Sequence, residues 1–170
     1  SNDLPILGID LLWFKKRGRL VAVLDFQPLL QDQDYFQRYF SGLKALKNNS
    51  PEFNCSIDMK VYNPNQYFSP WVLFYKGGID NIRECLPHVF TSFLDCYWEL
   101  LNTLPTHTSE AQREKVKRLQ ISYDKYSAEK DPAHSLFIGF FGKEWSDKFL
   151  NEFLFPLSSY ETSIADEGSI

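Results

Sequence analysis

Residues 4–28 read LPILGIDLLWFKKRGRLVAVLDFQP, two apolar runs on either side of a basic turn. The runs 4–14 and 19–28 are rich in Leu, Ile, Val and Phe, which suit a pleated strand, and KKRG between them holds a glycine able to take positive φ. A β-hairpin is predicted. With a two-residue turn centred on Arg17 and Gly18, Lys16 faces Arg19 and Asp10 lies opposite Asp25. Alternation sets Gly8, Asp10 and Leu12 on one face of the first strand and Leu7, Ile9, Leu11 and Trp13 on the other. Asp10 is the only charge in its run. A carboxylate there costs stability unless it is paired or protonated, so it reads both as a candidate acid and as half of a plain salt bridge, with Asp25 as a partner in a structural hydrogen bond.

Working outward, DQDYFQRYFSGLKAL (32–46) has apolar residues at helical spacing with Asp32 or Asp34 placed to cap it. The stretch 59–78 reads as two strands broken at Asn63-Pro64 and closed by Gly77-Gly78. Residues 85–105 carry Val89, Phe90, Phe93, Tyr97, Leu100 and Leu101 on one stripe, with Pro87 in the first turn of a helix. A third helix is predicted over 108–130, opened by Ser109 and Gln112 in capping-box spacing and stopped by Pro132. A short apolar stretch to Gly142 precedes a last helix over 143–155, ended by Pro156. About four early strands joined partly by hairpins, followed by about four helices, predict an α/β chain whose mostly antiparallel sheet is covered by helices. Strands beginning abruptly at residue 6 predict a larger sheet with members before residue 1.

Composition bounds the function. The 170 residues, 44% hydrophobic and 16% aromatic, suffice for one substantial core, and the aromatic share suits a flat apolar cavity. A net charge of −4 and a pI near 5.4 argue against a nucleic-acid partner, which needs a basic surface. Cys55, Cys85 and Cys96 have no metal-type spacing and an odd count, so neither a zinc site nor a disulfide framework is expected. No apolar run reaches the ~18 residues of a membrane span, and no basic-then-apolar leader is read at the start. SSYETSIADEGSI at the end reads as a polar tail.

A second carboxylate stands in SAEKDPAH (127–134). An aspartate before proline at a helix end is ordinarily a turn or cap residue, and a lone histidine ordinarily a structural one. Even so, His134 is near enough in sequence to tune Asp131.

Five ordered segments, LPILGIDLLWF, LVAVLDFQPL, NPNQYFSPWVLFYKGG, YSAEKDPAH and FGKEWSDKFLNEFLFP, resemble the ferredoxin-dependent bilin reductases, and most of all the branch that makes phycoerythrobilin from 15,16-dihydrobiliverdin. The resemblance covers nearly the whole chain. It implies an α/β/α sandwich over residues 1–157, followed by the tail 158–170, with an open-chain tetrapyrrole held between the sheet and the C-terminal helices. It implies no bound metal, flavin or other cofactor, ferredoxin (a 2Fe–2S protein) as external electron donor, and a monomer. Asp10 and Asp131 match the family's two catalytic aspartates, expected to reach opposite faces of the pigment. Lys76 stands where many relatives have an arginine that contacts a propionate, and lysine offers a point charge without the guanidinium fork. Ser69 and Trp71 are expected in the strand lining the pocket, with His134 as a further contact. The family's N-terminal region, with its outer strands, has no match here.

Other expectations follow. An acidic ferredoxin needs a basic face on this acidic chain, and Lys15, Lys16, Arg17 and Arg19 supply one, with Lys115, Lys117 and Arg118 as the second candidate. An upstream bilin reductase is a further expected partner, and the plastid stroma of an alga or the cytoplasm of a cyanobacterium the expected compartment. The competing readings are reduction of biliverdin to phytochromobilin, a bilin carrier without redox chemistry, and a carboxylate-pair hydrolase.

Overall fold

The computed structural model describes residues 3–56, 64–103 and 108–160. The chain divides into two compact units, Ser1–Arg113 and Glu114–Ile170.

The first unit is built on a three-stranded antiparallel sheet in the order β1-β2-β3. Strands β1 (Ile6–Phe14) and β2 (Arg19–Gln27) form the predicted hairpin, and β3 (Leu73–Gly78) pairs with β2. The tip is longer than a two-residue turn. Lys15–Arg17 make a 3₁₀ turn and Gly18 closes it at φ 58°, a left-handed conformation that glycine takes without steric cost. Phe14 therefore faces Arg19, and Asp10 faces Val23 rather than Asp25, whose cross-strand partner is Gly8. The register differs from the expected one by two residues. Because side chains alternate with period two, the shift leaves every side chain on its predicted face.

Helices cover the Phe26 face. The predicted helix over 32–46 is two helices, α1 (Gln33–Tyr39) and α2 (Ser41–Asn48), separated at Phe40, whose φ of −113° leaves helical geometry. Asp32 caps α1 by accepting the Tyr35 N–H at 2.8 Å. A short helix α3 (Pro64–Tyr67) follows, and α4 (Leu86–Asn102) carries Pro87 in its first turn, as the sequence suggests. Phe26 is fully buried, its ring 5.1 Å from Phe93 and 5.2 Å from Tyr97 of α4 and 6.2 Å from Phe40. Burying a side chain of this size contributes roughly 1.5–3 kcal/mol, so this cluster fixes the helices on the sheet. The strand predicted just before Asn63 lies outside the described residues. Within those residues β1 is an edge strand, and Ile9, Leu11 and Trp13 on one face and Leu12 and Phe14 on the other are exposed.

In the second unit, α5 (Glu110–Lys130, beginning in the first unit) is followed by α6 (Ala133–Phe141) and α7 (Lys143–Lys148). Ser109 opens α5 through its Oγ, which accepts the Gln112 N–H at 3.2 Å. The apolar stretch before Gly142 is itself a helix, and Gly142, at φ 82°, separates it from α7. Beyond Lys148 the predicted α-helix continues only as a π turn over Phe149–Leu154. After it the Leu157 N–H reaches the buried carboxyl of Asp124 at 2.8 Å. Ser158 donates to Asn151 at 3.1 Å and Lys117 sits 4.9 Å above the Tyr160 ring, so the start of the expected tail is held; 161–170 lie outside the described residues.

Candidate functional site

Strand pairing fixes one face of the sheet. Gly8, Asp10, Leu12 and Phe14 of β1 share it with Arg19, Val21, Val23 and Asp25 of β2 and with Phe74 and Lys76 of β3. At one end Val23 and Phe74 pack with Phe68 and Val72 into a buried cluster. Toward the hairpin tip the same face is open, with Asp10 and Lys76 both exposed. Lys76 is cross-strand from Val21 and lies diagonal to Arg19, while Lys15, Lys16 and Arg17 are exposed at the tip. The four cations proposed from sequence are thus gathered at one end of the hairpin.

Asp25 lies on the same face, cross-strand from Gly8. It is fully buried, and both its oxygens are used: Ser69 donates from its backbone N–H at 2.8 Å and from its hydroxyl at 2.5 Å. Burial pushes the Asp25 carboxyl up to about 7, against the opposing pull of the Ser69 hydrogen bonds and the Lys47 charge. Lys47 is anchored nearby, donating to the carbonyls of Phe53 at 2.8 Å and Val72 at 2.6 Å. Burial lowers the Lys47 ammonium from its ordinary range, and the Asp25 charge works in the other direction. Asp10 and Asp25 occupy one face as diagonal neighbours, on the order of 7 Å apart.

Ser69 and Trp71 are not in a strand. They lie in the turn before β3, where Ser69 Oγ also accepts the Trp71 N–H at 3.1 Å. Proline at 70, which has no N–H to give, suits that turn better than a strand. The Trp71 ring leaves the Asp10 face altogether: it meets Phe36 at 5.4 Å and Phe40 at 5.8 Å, with Lys44 5.8 Å above it. Because Phe40 packs on Phe26, Trp71 belongs with the helix layer, and the expectation that Ser69 and Trp71 lie within a strand is corrected: β3 begins only at Leu73.

The second unit holds Asp131. Its Oδ1 accepts the Ala133 N–H at 2.8 Å and its carbonyl the His134 N–H at 3.2 Å, so it does form the ordinary turn that opens α6. It is also half-buried, and burial raises its carboxyl above the usual carboxylate range against the lowering effects of the Ala133 N–H and the His134 charge. His134 Nε2 lies 2.8 Å from Asp147 Oδ1, and Lys143 binds the other oxygen of the same carboxylate. Asp147 is held below the usual range, first by Lys143 and then by His134. An ionised carboxylate only accepts, so Nε2 carries the hydrogen. Asp147 had no signal in the sequence beyond its helical spacing from Lys143, because its bond to His134 spans 13 residues.

Beside this cluster runs a ladder of rings spaced four residues apart in sequence. Phe141 and Trp145 are 4.6 Å apart, Trp145 stacks on Phe149 at 4.8 Å and 13°, and Phe149 stacks on Phe153 at 5.2 Å and 18°. Among the described residues no group of His, Cys, Asp and Glu is arranged to hold a metal ion, and no helix is long and apolar enough to cross a membrane.

The family model described as ferredoxin-dependent bilin reductase matches residues 1–156. The chain is 57% identical over 158 residues to a 15,16-dihydrobiliverdin:ferredoxin oxidoreductase of Prochlorococcus marinus (strain NATL1A), covering 93% of this chain and 66% of that one. Proteins of the same name from Prochlorococcus marinus (strain MIT 9303) and Synechococcus sp. (strain WH7803) are 55% and 54% identical over 92% and 93% of this chain and 63% and 68% of theirs. The chain thus spans about two thirds of the length of the curated relatives it matches. A solved structure of selenomethionyl phytochromobilin synthase from tomato, in complex with biliverdin, has the same fold, with a TM-score of 0.81 at 22% identity over 94% of this chain and 57% of its own. A family model matched over residues 1–156, and relatives more than half identical across nearly all of it, place this chain in the ferredoxin-dependent bilin reductase family.

Proposed function

We propose that this chain reduces an open-chain tetrapyrrole with electrons from ferredoxin, 15,16-dihydrobiliverdin being one member of the bilin couple. Each electron added to a conjugated pigment in an apolar setting builds charge that is costly until a proton follows. The observation that carries the reading is Asp131, a half-buried carboxyl that burial raises above the usual carboxylate range, in a chain of this family. Asp10 is proposed as the second donor. It is exposed in the chain itself, and a pigment laid on the open sheet face would supply the desolvation that favours its protonated form. Lys76, on that same face, is proposed to meet a propionate, and Ser69 to act through its hold on Asp25. No cofactor is needed in this scheme, because the pigment takes the electrons itself.

The bilin couple is open between two reactions. Reduction of the A-ring diene consumes 15,16-dihydrobiliverdin and yields phycoerythrobilin, after an upstream reductase has supplied it. The relatives' name sets the same compound in the donor's place before ferredoxin, as the reduced member of its couple, which favours its formation from biliverdin by two electrons and two protons at the 15,16 bond. The test is to give the protein each bilin separately with reduced ferredoxin and to identify products by chromatography. Conversion of one or both supports the reading and assigns the couple. A shifted but stable absorbance with either bilin would mark a carrier and overturn it. The relatives' organisms favour a cyanobacterial cytoplasm over a plastid stroma, and we propose one bilin reductase domain over residues 1–157 acting as a monomer.

The hairpin tip is proposed as the ferredoxin-docking face. Lys15, Lys16, Arg17 and Arg19 stand exposed together on an acidic chain, and such a patch steers an acidic partner mainly through the association rate. Replacing Lys16 and Arg17 by glutamate is expected to slow ferredoxin association about tenfold at low salt, with the difference closing as salt screens the patch. Stopped-flow measurement across a salt series checks this, and equal rates at low salt would move docking elsewhere, with Lys115, Lys117 and Arg118 next in line.

A further inference from the structure

We propose that His134, held in place by Asp147, is the proton reserve that reloads Asp131 between reduction steps. This rests on the reading of Asp131 as a proton donor. The geometry that carries it lies within the second unit: the Asp131 carbonyl accepts the His134 N–H at 3.2 Å, and from the His134 ring contacts lead on to the surface. Asp131 opens α6; His134 follows three residues later, on the same side of the helix start; its Nε2 is tied to Asp147 of α7 at 2.8 Å; and Lys143 closes on the far oxygen of that carboxylate.

Each contact favours a stored proton. With Nε2–H committed to Asp147, Nδ1 is the nitrogen left to exchange a proton with Asp131 or with water, and the partly exposed ring is within reach of solvent. Lys143 and His134 together hold Asp147 below the usual carboxylate range, so the hydrogen between the ring and the carboxylate belongs to Nε2. The other charged neighbours at the helix ends, Lys130 and Glu129 of α5, are closed on each other in an ion pair.

The protons balance without any electron moving through these residues. Asp131 gives its proton to the pigment and becomes a carboxylate, the imidazolium of His134 passes one proton to it and becomes neutral, and water restores the imidazolium. One proton enters from solvent for each one delivered. In this scheme His134 and Asp147 are positioning residues that act through Asp131.

His134→Gln keeps a side-chain N–H for Asp147 but cannot store a proton. Multiple-turnover reduction by this variant is expected to fall about tenfold, with free imidazole in the buffer restoring most of it. A fall that imidazole does not relieve would assign His134 a purely structural part and overturn the proposal, as would a rate equal to wild type. A second measurement needs no turnover: in the ligand-free protein with ¹³C-labelled aspartate, the Asp131 carboxyl should lose its proton at higher pH in His134→Gln than in wild type, and Asp147→Asn should move it the same way by less. An Asp131 titration indifferent to both substitutions would overturn the proposal whether or not bilins are reduced. Coupled titration in a protein that reduces no bilin would uphold the pair and sink the reductase reading alone.

Discussion

Asp131→Asn is expected to slow bilin reduction by roughly two to four orders of magnitude while leaving bilin affinity within a few-fold of wild type. The substitution suits the question because it separates the two parts Asp131 plays. An asparagine carbonyl still accepts the Ala133 N–H, so the turn that opens α6 survives, but the amide has no acid proton to give. Binding by absorbance titration and single-turnover reduction by stopped flow distinguish the two. If Asp131 were only a turn residue, both would be unchanged, and that result would remove it from the chemistry. Asp10→Asn is expected to act in the same direction, and at an exposed position on β1 it brings little cost in stability.

Asp25 predicts an effect on stability instead. Its carboxyl ionises at about 7 in the folded chain against an ordinary value of 3.8, because burial penalises the charge more than Ser69 and Lys47 favour it. A group whose folded value is raised keeps its contribution fully below the unfolded value and loses it as pH climbs through the folded one. Wild type should therefore weaken between about pH 4 and pH 7, by on the order of 4 kcal/mol from this group alone, given 1.36 kcal/mol per pH unit. Asp25→Asn has nothing to titrate. Its carbonyl can take the Ser69 N–H and its NH₂ can donate to the Ser69 hydroxyl, so both buried bonds have a replacement. The expected result is that the variant lacks this fall, so that relative to wild type it gains stability as pH rises from about 4 to about 8. Urea unfolding at a series of pH values checks it. Parallel curves for the two proteins would mean that Asp25 is ionised throughout, with its charge fully compensated by Ser69 and Lys47.

Much of this was legible in the residues, for identifiable reasons. The hairpin over 4–28 is readable because strand alternation and a basic glycine turn coincide, and the faces survive a misjudged turn because the error was two residues and not one. What periodicity could not supply is the length of the tip, which depends on Lys15–Arg17 winding into a 3₁₀ turn. The break at Phe40 is equally hidden, since an aromatic residue at helical spacing looks the same whether or not the backbone bends there. Trp71 was misplaced for a related reason: FSPW is apolar enough to pass for strand, and only the Ser69 bonds to Asp25 show that the chain is turning. Asp131 announced itself by its place before proline, but its partner His134 is fixed by a residue on the next helix, and contacts between helices leave no trace in spacing along one. Asp25 shows the limit most clearly. In sequence it differs little from Asp10, one carboxylate among apolar residues in each strand of a hairpin, yet one is sealed under Ser69 and the other stands open.

The π turn over Phe149–Leu154 holds one residue more than the same axial rise of an α-helix would use. Removing a single residue there would let the segment relax to ordinary winding and swing everything beyond it by about 100° around the axis. Leu157 would then carry its amide away from Asp124, and Phe155 its ring away from Tyr123, which it meets at 6.3 Å. The surplus residue thus works as a phase setting: it decides which side of the helices the stretch from Phe155 to Leu157 returns to, and shortening the turn would misdirect that return without touching any ionisable group.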